Sequence, residues 1–313
     1  MSVEEQGPDL VRRFAERLKL QGANVRPASG PAAAASAAVE GPPLPLHALR
    51  GAATTKPTVE PSVTNRVKID LKRLQRLGYI VPHGGEKSLL SEEMRQIKRP
   101  LIHKAFGSTG EAIRNGNVIL VTSARPGEGK TFTAVNLALS IASERDFFVM
   151  LVDADSHTQA VLHALGVDAT KGLVDLLLDE SADLSHIMLR TNIPNFSIVP
   201  AGSRHSNVPE LLSSHRMACL AEDMATRYRD RFIIIDSSPL LASSEPAVLA
   251  QHVGQIVVVV EQNKTGWSLV ERAVSRLENC PEVNFVLNKV ESKLWEEDYS
   301  SHYIYRSTAA PEQ

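Results

Sequence analysis

Beyond residue 117 the chain alternates short apolar runs with stretches of helical periodicity. The runs occupy residues 118–122, 148–152, 196–200, 232–235, 256–260 and 285–288. Each is almost unbroken in hydrophobicity and ends in small or acidic residues, which suits strands buried on both faces. Helical stretches between such strands predict crossover connections. The expected fold is therefore α/β, a doubly wound, mostly parallel sheet flanked by helices. No repeat of solenoid period runs through the sequence.

The first third reads differently. Leu10, Val11, Phe14 and Leu18 fall at helical spacing among charged residues, predicting a short amphipathic helix within residues 1–20. Residues 21–62 are rich in Ala, Pro, Gly and Thr, a composition that buries too little to offset ordering entropy, so a disordered linker is expected. In residues 63–107 Val67, Ile69 and Leu71 alternate as in a strand. Leu74 and Leu77 then continue at helical spacing up to Gly78, a candidate C′ residue. A second helix follows from Leu89, with Ser91 as candidate N-cap and Pro100 just past its end.

Composition changes this picture in three places. The net charge is −2, so nucleic acid is not indicated as a partner. Yet residues 65–104 hold ten Lys/Arg against four Asp/Glu, a local net of 10 − 4 = +6. This patch suits an acidic protein surface or an anionic membrane leaflet, and equally a solvated helix face. Two cysteines, Cys219 and Cys280, build no disulfide framework, and the start of the chain lacks the basic and apolar regions of a secretory leader. With no apolar run of about 18 residues, a cytoplasmic location is expected. Finally, three of five tyrosines, Tyr299, Tyr303 and Tyr305, fall in the last fifteen residues. Even placement predicts roughly a quarter of one there.

The densest chemistry lies directly after the first apolar run, in Ala124-Arg-Pro-Gly-Glu-Gly-Lys130-Thr131. A strand before it and a helix after it, ending near Ser143, make this a Walker A phosphate loop, with Ala124 where Gly is commonest. Gly127 and Gly129 let successive N–H groups converge on phosphate oxygens. Lys130 can reach the β- and γ-phosphates, and Thr131 offers a hydroxyl to Mg²⁺. The nucleotide-binding stretch is thus Arg125, Pro126, Gly127, Glu128, Gly129, Lys130, Thr131 and Phe132, for ATP with Mg²⁺. Two other runs end in carboxylates, Asp153 with Asp155 and, separately, Asp236. A single such Asp is often a turn former. Ligands in open α/β sheets sit at the strands' carboxyl ends, so all three are expected to converge on the loop.

Together, Pro-Gly-Glu-Gly-Lys, the apolar box ending Asp153-Ala-Asp155, and Ile-Ile-Ile-Asp236-Ser-Ser-Pro resemble the bacterial tyrosine kinases. The likeness is nearest to the stand-alone autokinases of exopolysaccharide loci with exosortase/PEP-CTERM systems. It includes Val67-Lys-Ile-Asp-Leu, Glu93-Met-Arg-Gln-Ile-Lys-Arg-Pro-Leu, Glu278-Asn-Cys-Pro and Val286-Leu-Asn-Lys. It implies a P-loop kinase domain at residues 108–297, with residues 63–107 serving activation or oligomerisation. Residues 298–313 become a tail whose tyrosines a neighbouring copy phosphorylates. Lys130, Asp153 and Asp155 are then the catalytic set, with Thr131, Asp153 and Asp236 around the metal. Asp153 orients or deprotonates the incoming tyrosine, and Asp155 positions the metal's waters. The implied partners are further copies of the chain, an inner-membrane polysaccharide copolymerase-type activator that recruits it peripherally, and a cognate tyrosine phosphatase.

Two positions depart from the family. His157 stands where the second box has Arg, and the activating motif Glu-x-x-Arg-x-x-Arg appears as Glu92-x-x-Arg95-x-x-Lys98. Arg carries a permanent charge and a bidentate fork that neither replacement reproduces. Two alternatives stand beside the kinase. One is a MinD/ParA-like positioning ATPase, against which Arg125 counts, because those enzymes place Lys there. The other is a nucleotide-dependent scaffold that transfers no phosphate.

Overall fold

In the computed structural model the chain divides into two units, Met1–Thr58 and Val59–Gln313. The structure describes residues 65–82, 88–106, 113–227, 230–277 and 282–290, all in the second unit. The amphipathic N-terminal helix, the linker and the tail tyrosines lie outside these residues.

The elements run as follows: α1 (Leu71–Arg76), α2 (Leu89–Phe106), β1 (Val118–Ser123), α3 (Lys130–Ala142) and β2 (Phe148–Asp153). Then come α4 (Ala160–Leu165), α5 (Leu173–Leu178), α6 (Leu184–Ile187), β3 (Leu189–Arg190) and β4 (Phe196–Val199). The rest are α7 (Val208–Leu212), α8 (His215–Arg227), β5 (Arg231–Asp236), α9 (Glu245–Leu249), β6 (Gln255–Glu261), α10 (Trp267–Val274) and β7 (Val283–Asn288). One seven-stranded sheet has the order β3-β4-β2-β5-β1-β6-β7. Every pairing is parallel except β3 with β4. All six apolar runs are strands. The two-residue β3 is too short to leave a periodic signal.

Alternate residues of the central strands feed two cores, as the pleat requires. Ile119, Leu151, Phe232 and Val257 pack under α2, α3 and α4, whereas Leu120, Met150, Ile233 and Val258 face α5, α7 and α8. Burying each such side chain stabilises the fold by about 1.5–3 kcal/mol.

The segment before β1 shows three departures from expectation. The alternation at Val67, Ile69 and Leu71 produces a single bridge, Arg66 to Arg190, rather than a strand. Ile69 is instead held by both amide atoms of Asn192, and Asp70 caps α1. Gly78 does adopt the left-handed conformation, φ +78°, while Leu77 is left half exposed at the helix end. Ser88, not Ser91, caps α2, its Oγ accepting from the Ser91 N–H. Moreover, α2 continues through Pro100 to Phe106. An internal proline costs about 3 kcal/mol. Beyond it, however, Leu101 is fully buried, the Phe106 ring packs on Phe147 and Phe232, and Lys104 reaches Glu282 and Asn284. That packing outweighs the proline.

Candidate nucleotide and phosphoryl-transfer site

The phosphate loop joins β1 to α3, and left-handed Gly127 (φ +86°) and Gly129 (φ +99°) set its curl. Lys130 and Thr131 open α3, where unpaired N–H groups and the helix dipole favour anions. Across the parallel β2–β5 pair Asp153 lies in register with Asp236, so both carboxylates emerge at the same sheet edge. Thr131 Oγ1 donates to Asp236 Oδ2 at 2.7 Å. Lys130 Nζ lies 2.9 Å from Asp155 Oδ2 and 4.0 Å from Asp236 Oδ2. All three acidic residues therefore converge on the loop.

Their environments pull their protonation apart. Burial and the neighbouring Asp236 push Asp153 up to about 8, although the N–H groups of Asp155 and Val161 pull it down. Burial likewise lifts Asp236 to about 6, against the pull of Lys130 and Thr131. Asp155 is buried too, but Lys130 overrides the desolvation and holds it below the ordinary carboxylate value. Burial works against the charge of Lys130, and the carboxylates, Asp236 foremost, keep it firmly protonated.

Asp153 has no exposed surface, and both its oxygens are used. Oδ1 accepts from the Asp155 N–H at 3.0 Å and Oδ2 from the Val161 N–H at 3.3 Å. In this geometry it organises the turn carrying Asp155 and the start of α4. Asp236 Oδ1, in contrast, is buried without a hydrogen-bond partner. Such an atom beside a threonine hydroxyl fits a hard cation. Among the described residues no group of three His, Cys, Asp or Glu side chains could hold a metal by itself. Mg²⁺ carried by a nucleotide needs only one or two protein oxygens.

The remaining expected residues divide. Arg125 and Pro126 are exposed on the loop. The Glu128 side chain turns away from the phosphate face and is buried, accepting from the Arg125 N–H, the Thr265 hydroxyl and the Glu261 N–H. Its side chain's part in the site is therefore structural. Phe132 packs against Tyr79 with ring centroids 5.1 Å apart. Tyr79 is raised by burial and senses both Arg73 and Asp236, so it borders the site, which no sequence pattern indicated. His157 is largely exposed, 3.7 Å from buried Glu245. Lys98 is buried and bonded within the chain, not displayed to a neighbour, and Arg95 pairs with Glu92 on its own helix. In the basic segment Arg73 also turns inward, onto the carbonyls of His163 and Ala164.

Residues 116–282 match the family model described as an AAA domain, and the chain belongs to that class of nucleotide-binding proteins. Over 194 residues it is 31% identical to the tyrosine-protein kinase YwqD of Bacillus subtilis, covering 62% of this chain and 78% of that one. Over 236 residues it is 28% identical to the tyrosine-protein kinase ptk of Acinetobacter johnsonii, covering 75% of this chain but 31% of the relative. It thus spans about a third of that protein's length. The solved kinase domain of VpsO superposes with a TM-score of 0.53 at 29% identity, over 65% of this chain and 100% of that domain. Within its class, the chain is a member of the bacterial tyrosine kinase family, enzymes that phosphorylate protein tyrosine. Among the described residues no helix is long and apolar enough to cross a membrane.

Proposed function

We propose that the chain is an autokinase that transfers the γ-phosphate of ATP to Tyr299, Tyr303 and Tyr305 of a neighbouring copy. In doing so it regulates exopolysaccharide biosynthesis and export. The observation that carries the reading is the placement of Lys130 between Asp155 and Asp236 at the mouth of the phosphate loop, in a chain of this family with tyrosines gathered near its C-terminus.

In this reading each residue takes a role that its position supports. The N–H groups of residues 127–131 and the start of α3 receive the phosphates. As the nucleotide enters, Lys130 exchanges Asp155 for phosphate oxygens. Bound with the nucleotide, Mg²⁺ supplies charge neutralisation, and Thr131 Oγ1 with the Asp236 carboxylate would hold it. The part expected of Asp153, at the tyrosine and in the metal shell, passes to its neighbours, because both its oxygens are buried and taken by the Asp155 and Val161 amides. Asp155, released by Lys130, accepts the hydrogen bond and then the proton of the incoming tyrosine hydroxyl, and Asp153 keeps Asp155 in place through its amide. Phosphoryl transfer rests chiefly on such alignment and charge neutralisation. Each tail phosphate adds about −1.5 to −2 charges, which would repel the tail from an acidic site and end the encounter.

The same reading gives the chain a cytoplasmic place. An inner-membrane copolymerase-type protein recruits and activates it, and a tyrosine phosphatase reverses it. The test is incubation of purified protein with Mg·ATP followed by phosphopeptide mapping, with Lys130→Met as the inactive control. Phosphotyrosine at residues 299–305 supports the autokinase. Its absence, even with the activator's cytoplasmic segment present, would leave a scaffold. Hydrolysis driven by lipid or DNA instead would indicate a positioning ATPase.

A further inference from the structure

The outer side of the phosphate loop is gripped by two consecutive residues from the far end of the chain. Asn288 Nδ2 donates to the Glu128 carbonyl at 2.8 Å, and Lys289 Nζ donates to the Gly127 carbonyl at 2.7 Å. Asn288 is the last residue of β7 and Lys289 follows it; among the described strands β7 lies at the sheet edge, beside β6. Lys289 adopts φ +57°, a left-handed conformation that non-glycine residues hold only when their surroundings enforce it. Its ammonium also lies 3.2 Å from Glu261 Oε2, at the end of β6. The approach of Asn288 is so close that a Cβ on residue 129 would overlap its amide nitrogen.

These contacts act on the inner side of the loop through peptide geometry. In a trans peptide the C=O and the next N–H point in opposite directions and turn as one rigid plane. Anchoring the Gly127 carbonyl outward therefore aims the Glu128 N–H inward, and anchoring the Glu128 carbonyl aims the Gly129 N–H. A glycine-rich loop has little conformational preference of its own to do this. Preorganised donors are the source of a phosphate site's affinity.

We infer that Asn288 and Lys289 are positioning residues of the phosphate site, fixing the direction of the Glu128 and Gly129 amides before nucleotide arrives. The inference rests on the nucleotide-site reading above. Neither residue touches phosphate; each works through a carbonyl of the loop.

The experiment uses the full chain and Mg·ADP as the probe. Lys289→Met and Asn288→Asp each remove one donor with little change in volume, and each is expected to weaken Mg·ADP binding about tenfold by calorimetry, the scale of one lost hydrogen bond. The KM for ATP should rise by a similar factor while kcat stays within about twofold. Lys289→Arg, which can still donate to the carbonyl, should recover most of the affinity. In the nucleotide-free protein the Glu128 and Gly129 amide resonances should shift in both variants, with those of β5 unmoved. Wild-type Mg·ADP affinity in both folded variants, or unshifted Glu128 and Gly129 amides, would overturn the assignment. Failure of the wild-type chain itself to bind Mg·ADP would instead overturn the nucleotide-site reading.

Discussion

Lys98 Nζ lies 2.7 Å from the carbonyl of Ser140 in the last turn of α3 and 2.6 Å from Glu144 Oε1. Terminal helix carbonyls lack intrahelical partners, and a cation there also meets the negative end of the dipole. A residue expected at a subunit contact thus works as an internal cap, tying α2 to the helix that carries the phosphate loop. Lys98→Ala should lower unfolding stability by about 2–3 kcal/mol in urea titration, because it leaves a buried carbonyl unpaired. Glu144→Gln, on a half-exposed partner, should cost less than about 1 kcal/mol. Equal losses from the two would contradict the capping role.

Glu128 braces the loop from below with three accepted hydrogen bonds. Glu128→Ala should cost about 3 kcal/mol of stability and raise the KM for ATP, since the Arg125 and Glu261 amides and the Thr265 hydroxyl all lose their acceptor. Thr265→Val should cost about 1 kcal/mol. Denaturant midpoints and steady-state kinetics on the pair separate brace from substrate contact.

At Gly129 the left-handed conformation demands glycine, and a Cβ there would push the Asn288 amide aside. Gly129→Ala should weaken Mg·ADP by at least about tenfold, from backbone strain and displacement of Asn288. Fluorescent-nucleotide titration reads it directly, and unchanged affinity would show that the loop relaxes in solution.

The acidic cluster sets a pH dependence for the nucleotide-free protein. Asp153 at about 8 and Asp236 at about 6 both lie above their unfolded value of 3.8. The folded state therefore binds more protons than the unfolded state between those limits. The stability from these groups is complete below pH about 4 and is lost as pH rises through about 6 and then about 8. Thermal midpoints should accordingly fall across pH 6–8.5, and Asp153→Asn should flatten the decline. An identical slope in the variant would remove Asp153 as its source.

How much of this was legible in the sequence differs by element. The central strands announced themselves because a parallel sheet covered on both faces needs unbroken apolar runs, as in residues 232–235. The phosphate loop was legible because its chemistry is local to eight residues. The grip of Asn288 and Lys289 was not, since it depends on contacts across some 160 residues and on β7 lying beside β6. An Asn-Lys pair ending an apolar run was the available signal. Pro100 misled for the opposite reason: a strong local breaker was overruled by the aromatic packing of Phe106. The inward turn of Glu128 was likewise invisible, because two of its three partners come from β6 and the loop that follows it.

The ion pair between Lys130 and Asp155 makes the nucleotide-free site a threshold filter. Its principal cation is already neutralised from within, so an arriving anion must displace a carboxylate before it gains that charge. A lone inorganic phosphate has few contacts with which to do so, whereas a di- or triphosphate brings several at once. The same exchange imposes an order of events. In the proposed mechanism Asp155 would become available to a tyrosine only after Lys130 has left it, so nucleotide would enter first and the acceptor second.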